Sequence, residues 1–118
     1  GSEMCIRDSY RAALAAYDEA RLAYEQKVLT VFKEADDAVV TYRSARKTAA
    51  LKLNLRDAAS KYVELAHLQY RAGSTNYIDV LDAQRRYFDA QIGLSNSVRD
   101  EHLALVQLYK ALGGGWTE

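Results

Sequence analysis

Two aspartates three residues apart, Asp79 and Asp82, follow the first glycine after residue 1 in the stretch YRAGSTNYIDVLDAQR, residues 70–85. On a helix that spacing puts both carboxylates on one face. Such a pair could hold a cation, or could share general-acid and general-base work. Acid–base work needs a walled pocket, and one glycine with three small polar residues supplies no walls. RAGSTN lacks the lysine and the further glycines of a phosphate loop. His67 and His102 stand far apart, with no cysteine or carboxylate cluster at ligand spacing, so they read as exposed or half-buried histidines rather than metal ligands. No serine or cysteine has a base at motif spacing. The expectation is a chain without catalytic residues, metal or cofactor, in which the stretch is a corner.

The corner lies between segments that read as helix. The chain of 118 residues holds no proline, and its glycines are absent from residues 2–72. Lysine plus arginine and aspartate plus glutamate are both 16, so no net charge argues for nucleic acid or an anionic membrane surface. The lone cysteine, Cys5, allows no intrachain disulfide. No apolar run approaches the roughly 20 residues of a membrane-spanning helix. Residues 1–9, GSEMCIRDS, resemble a cloning scar followed by translated adapter sequence, and are set aside as an artefactual leader. A lipidated Cys5 is not expected, because no apolar segment precedes it.

From about residue 9 to 71 apolar positions recur as Tyr24, Val28, Val31, Ala35, Ala38, Tyr42, Ala45 and Ala49, the four–three spacing of a coiled-coil seam. Continuing that phase would bring in Lys52. The apolar stripe instead restarts as Leu51, Leu55, Ala58, Tyr62, Leu65 and Gln69, which predicts a stutter in the seam. Such a helix is roughly 90 Å long, too long for a compact domain of this size. Tyr10, Tyr17 and Tyr24 read as seam residues whose hydroxyls reach water. Residues 34–39, EADDAV, read as a solvated patch. Gly73 predicts the helix stop, and Ser74, Thr75 and Asn76 are each good caps for a second helix. With Asn76 as cap, the Asp79 carboxylate would face the free amides of the first turn.

A turn that short, residues 73–76, makes the helices antiparallel neighbours. The second helix is expected over about 77–112, before the glycine-rich end at 113–118. Its predicted stripe is Val80, Gln84, Tyr87, Gln91, Leu94, Val98, Glu101, Leu105, Leu108 and Leu112. Leu81, Phe88, Ile92, Leu103 and Val106 form a second stripe beside it, which implies a second neighbour. The predicted fold is all-α: a long antiparallel helical hairpin, lopsided, and part of something larger. Its unpaired apolar half predicts self-association, most simply a dimer.

YRAGSTNYIDVLDAQRRYFDAQ, residues 70–91, resembles the periplasmic turn of the TolC-type outer-membrane efflux factors. That pattern is tyrosine, two residues, glycine, a short polar stretch, then a hydrophobic residue followed by Asp-Val-Leu-Asp-Ala. YEQKVLTVFKEADDAV, residues 24–39, resembles a second segment of the family, with Val31 and Ala35 where alanine and valine are usual. LVQLYKALGGGW, residues 105–116, resembles its C-terminal signature. The three matches fall in the family's order and span residues 10–116.

The resemblance implies a trimer in which a helical barrel crosses the periplasm beneath an outer-membrane β-barrel. This chain would be a truncated C-terminal portion of that barrel, soluble and without the membrane-spanning strands. Its role would be a segment of a passive conduit for small molecules or proteins, with an inner-membrane pump and a periplasmic adaptor as partners. By the same resemblance the corner is the conduit's entrance. Asp82, with Asp79 beside it, would contribute to a ring of carboxylates that selects cations, each raising the others' pKa. Tyr70 would form a latch to a neighbouring coiled coil, and Ala72, Gly73 and Ser74 would meet the adaptor. Thr75 stands where some members carry a latch arginine. The competing expectation is a stand-alone coiled-coil hairpin that serves as an interaction module.

Overall fold

A computed structural model describes residues 2–113. Two helices account for nearly all of them, α1 (Ser2–Arg71) and α2 (Tyr77–Ala111), and no strand occurs among the described residues. The helix begins well ahead of the expected start near residue 9. Nothing in residues 2–9 breaks a helix, and Glu3 places a carboxylate at the positive end of its dipole. Arg71 and Lys110 sit in the last turns of α1 and α2, where cations are favoured, and Asp79 sits in the first turn of α2. Beyond Gly113 the expected glycine-rich end lies outside the described residues.

The chain divides into two units, Gly1–Asp37 and Ala38–Glu118. In the first, the described residues belong to α1, and all are exposed except Val28 and Ala35, which are half-buried. In the second, α1 and α2 form an antiparallel hairpin closed by the predicted corner. Gly73 takes φ +78° and supplies the left-handed C′ residue. Its N–H donates to the Tyr70 carbonyl at 3.0 Å, and the Ser74 N–H donates to the Gln69 carbonyl at 2.9 Å. These are the two bonds of a Schellman motif, and they satisfy carbonyls that the helix end would otherwise leave open. Asn76 is extended, at φ −84° and ψ 156°, and starts α2. Gly113 repeats the device at the other end, with φ +87° and its N–H on the Lys110 carbonyl at 3.1 Å.

The seam of the hairpin differs from the predicted one. Along α1 the seam runs Ala38, Tyr42, Ala45, Ala49, Lys52, Arg56, Ala59, Val63 and Ala66, all buried or half-buried, with Val39, Ser60 and His67 half-buried beside it. The four–three phase is unbroken, and the predicted stutter does not occur. Leu51, Leu55 and Leu65 are instead 59%, 52% and 49% exposed. Along α2 the sequence reading placed Val80, Tyr87, Leu94, Glu101 and Leu108 correctly. The alternate layers are Ala83, Ala90, Ser97 and Ala104, each one residue before the predicted Gln84, Gln91, Val98 and Leu105.

The physical reason is size. Ala66, Val80 and Ala83 pack with Val63 as a tight core beside the corner. Farther from the corner, Ala59 lies beside Ala90 and Gly93, and Ala45 and Thr48 lie beside Ser97. Lys52 belongs in the seam because its aliphatic stem fills the space at Gly93. A Cβ built on Gly93 would lie 3.8 Å from Lys52 Cδ. Long basic side chains bury such stems while their charged ends stay in water. The Ser97 hydroxyl is satisfied by donating to the Gly93 carbonyl at 2.9 Å. Other large apolar side chains of α2, Leu81, Phe88, Ile92, Leu103 and Val106, are exposed.

Candidate functional site: the hairpin corner

The Schellman turn carries Ala72, Gly73 and Ser74 exposed at the apex. The Ser74 hydroxyl donates to the same Gln69 carbonyl as its own N–H, at 3.0 Å, so this side chain tightens the turn. Tyr70 and Tyr77 flank the turn with ring centroids 5.2 Å apart and planes tilted by 58°, a favourable aromatic geometry. Tyr70 remains 45% exposed, and Leu68, Ile78 and Leu81 add exposed apolar surface around it. The corner is therefore a rigid turn with an amphipathic rim.

The two aspartates do different things. The Asp79 N–H donates to the Asn76 carbonyl at 3.1 Å as α2 begins. Its carboxylate accepts from the Thr75 hydroxyl. The Asn76 side chain makes no capping bond, and the Asp79 carboxylate binds the Thr75 hydroxyl instead of the first-turn amides expected from sequence. Asp82 faces two arginines one turn along. Arg86 Nε donates to one carboxylate oxygen at 2.8 Å and Arg85 Nη2 to the other at 3.1 Å. The Asp82 side chain is 33% exposed, whereas those of Arg85 and Arg86 are 73% and 66% exposed.

The hydrogen bond from Arg86 holds the Asp82 carboxyl below its ordinary pKa, and the charges of Arg86 and Arg85 pull in the same direction against partial desolvation. Arg86 is raised in turn, first by that hydrogen bond. Within one chain the shift is thus opposite to the mutual raising expected of converging carboxylates. Arg85 and Arg86 were missed in the sequence, although they stand three and four residues after Asp82, the spacing at which helix side chains meet.

No group of three potential metal-ligating side chains occurs among the described residues. Nor is any helix there long and apolar enough to cross a membrane. His67 lies 3.4 Å from Gln84 Nε2 across the hairpin. An open groove of about 460 Å³ runs along the hairpin between Lys52, Tyr62, Arg86, Asp89 and Gly93, and neither Asp79 nor Asp82 lines it.

The fully buried positions of the hairpin are mostly small and many of its large apolar side chains are exposed, a surface suited to further helices. Residues 6–114 match the family model of the outer membrane efflux proteins. The chain belongs to that family. It is 39% identical over 94 residues to the solvent efflux pump outer membrane protein SrpC of Pseudomonas putida, covering 80% of this chain and 20% of SrpC. It is 34% identical over 112 residues to outer membrane protein OprJ of Pseudomonas aeruginosa, covering 95% of this chain and 23% of OprJ. The solved outer-membrane channel OprN superposes with a TM-score of 0.73 at 29% identity, over 93% of this chain and 25% of the OprN chain.

The TolC-type resemblance of the three sequence segments is thereby shown. The chain spans about a fifth of the length of the curated relatives it matches. SrpC is the outer membrane protein of a solvent efflux pump, and with the family match the stand-alone interaction module is not favoured.

Proposed function

We propose that this chain supplies part of the periplasmic helical wall of an outer-membrane efflux channel and that its corner lies at the channel's entrance. The observation that carries the reading is the family match through both helices, on a hairpin whose large apolar side chains point away from its own seam. Those side chains are suited to neighbouring helices of a barrel. In this reading the conduit is a trimer and performs no chemistry. An inner-membrane pump supplies the energy, and a periplasmic adaptor meets Ala72, Gly73 and Ser74. Asp82 and Asp79 line the entrance and act on passing cations, with Asp82 restrained by its arginines. Tyr70 serves as the latch to the next coiled coil. Small molecules are the expected cargo, since the related SrpC is a component of a solvent efflux pump.

The test is a chimera in which residues 10–113 replace the matching segment of SrpC in a Pseudomonas putida strain that lacks SrpC. Restored resistance to a toxic solvent is the expected result. A cysteine at Ser74 should cross-link to the adaptor in the same cells. A chimera that reaches the outer membrane in normal amount yet restores nothing would overturn the reading.

A further inference from the structure

Residues 79–86 hold two aspartates and two arginines, so the segment carries no net charge. Those charges are not placed alike. Both oxygens of the Asp82 carboxylate are occupied, one by Arg86 Nε at 2.8 Å and the other by Arg85 Nη2 at 3.1 Å. The Asp82 side chain is 33% exposed, at most half the 66% of Arg86 and the 73% of Arg85. A solute that approaches Asp82 therefore meets guanidinium before carboxylate. Arg86 is backed from the other helix, because it shares the wall of the hairpin groove with Tyr62. Asp79 accepts from the Thr75 hydroxyl, a neutral donor that cancels none of its charge.

We infer that Arg85 and Arg86 set how strongly the corner holds a multivalent cation: they act as built-in counter-ions to Asp82, so that such a cation passes the aspartates without lodging there. Their effect on transport rests on the reading above, with the corner at the entrance. Several copies of Asp79 and Asp82 brought to one axis without the arginines would form a strongly negative ring. A multivalent ion held there would obstruct the passage, since conduction needs binding weak enough to leave. With the arginines the same ring carries no net charge from residues 79–86. A cation must also displace two charge-assisted hydrogen bonds to reach the Asp82 carboxylate. Arg86 is the stronger of the two counter-ions, by its shorter bond and its position against α1.

The first measurement needs no channel. Lanthanum(III) is titrated into the 118-residue chain while the Asp82 carboxyl and the amides of residues 79–86 are followed by NMR. Arg85→Gln with Arg86→Gln should tighten binding at Asp82 by at least on the order of tenfold, and Arg86→Gln alone should give most of that gain. Arg85→Lys with Arg86→Lys, which keeps the charge, should stay near the parent. Arg43→Gln with Arg46→Gln removes the same charge from exposed positions of α1 and should give no such gain. Asp82→Asn added to the Arg85 and Arg86 glutamine pair should abolish it. Equal affinity of the parent and that glutamine pair, or an equal gain from the Arg43 and Arg46 pair, would overturn the inference. The second measurement places the SrpC chimera in planar bilayers. Lanthanum(III) should reduce its current at concentrations at least about tenfold lower once Arg85 and Arg86 are glutamine. Binding that tightens at Asp82 in the chain while the current of the chimera stays unaffected would overturn the placement of the corner at the entrance, and the competition at Asp82 would stand.

Discussion

Gly73 offers the cleanest test of how the corner is made, because its surroundings separate backbone strain from crowding. Its φ is +78°, and a Cβ added there would meet nothing within 4 Å. A substitution is therefore penalised by conformation alone. Holding an ordinary L-residue in the left-handed region costs about 1–2 kcal/mol. Replacing glycine also reduces the freedom of the unfolded chain, which offsets about 0.4–1 kcal/mol of that cost. Gly73→Ala should then destabilise the hairpin by roughly 1 kcal/mol. Gly73→Asn should cost less, since asparagine visits this region readily, and Gly73→Val should cost more because of its branched Cβ.

Urea unfolding followed by far-ultraviolet circular dichroism measures these differences, at one fixed protein concentration because association shifts the midpoint. With a slope of about 2 kcal/mol per molar urea, the alanine variant should unfold about 0.5 M earlier. The order glycine, asparagine, alanine, valine is the signature. Valine no worse than asparagine would show that the turn does not depend on positive φ.

The seam and the corner yield three further expectations. Ala83, fully buried against the corner core, should tolerate enlargement poorly. Ala83→Leu should cost about 1–3 kcal/mol in the same urea assay, whereas Leu81→Ala, at an exposed position, should stay within about 0.5 kcal/mol. A depressed folded-state pKa means that the Asp82 contribution to stability is present above the ordinary carboxylate range and lost as pH falls through the lowered value. Carboxyl NMR titration should place Asp82 below its ordinary range, and Arg86→Gln should raise it more than Arg85→Gln, because the Arg86 hydrogen bond is the leading cause. At the tyrosine pair, Tyr70→Phe should leave stability within about 0.5 kcal/mol, and Tyr70→Ala should cost about 0.5–1.5 kcal/mol through loss of the ring contact with Tyr77. Equal effects of the two substitutions would locate the role of Tyr70 in its hydroxyl.

What could be read from sequence, and what could not, follows from the range of each interaction. The Gly73 stop, the short turn and the antiparallel pairing rest on local rules, and the sequence reading held for them. The seam needed the register between two helices, which no single segment contains. Choosing the largest apolar residues led to Leu51 and Leu55 and to an interruption at Lys52. The hairpin selects the other face because close approach rewards Ala49, Ala59, Ala83 and Ala90, and because Gly93 leaves room for a lysine stem. Asp82 drew notice as half of a carboxylate pair, yet its nearest chemistry is with Arg85 and Arg86, which the same i+3 and i+4 rule would have found. This hairpin buries Ala66, Ala83 and Ala90 and leaves Leu51, Leu55 and Phe88 exposed. Hydrophobicity alone therefore points first to the outer surface. The volume of the residue opposite is what identifies the inner one.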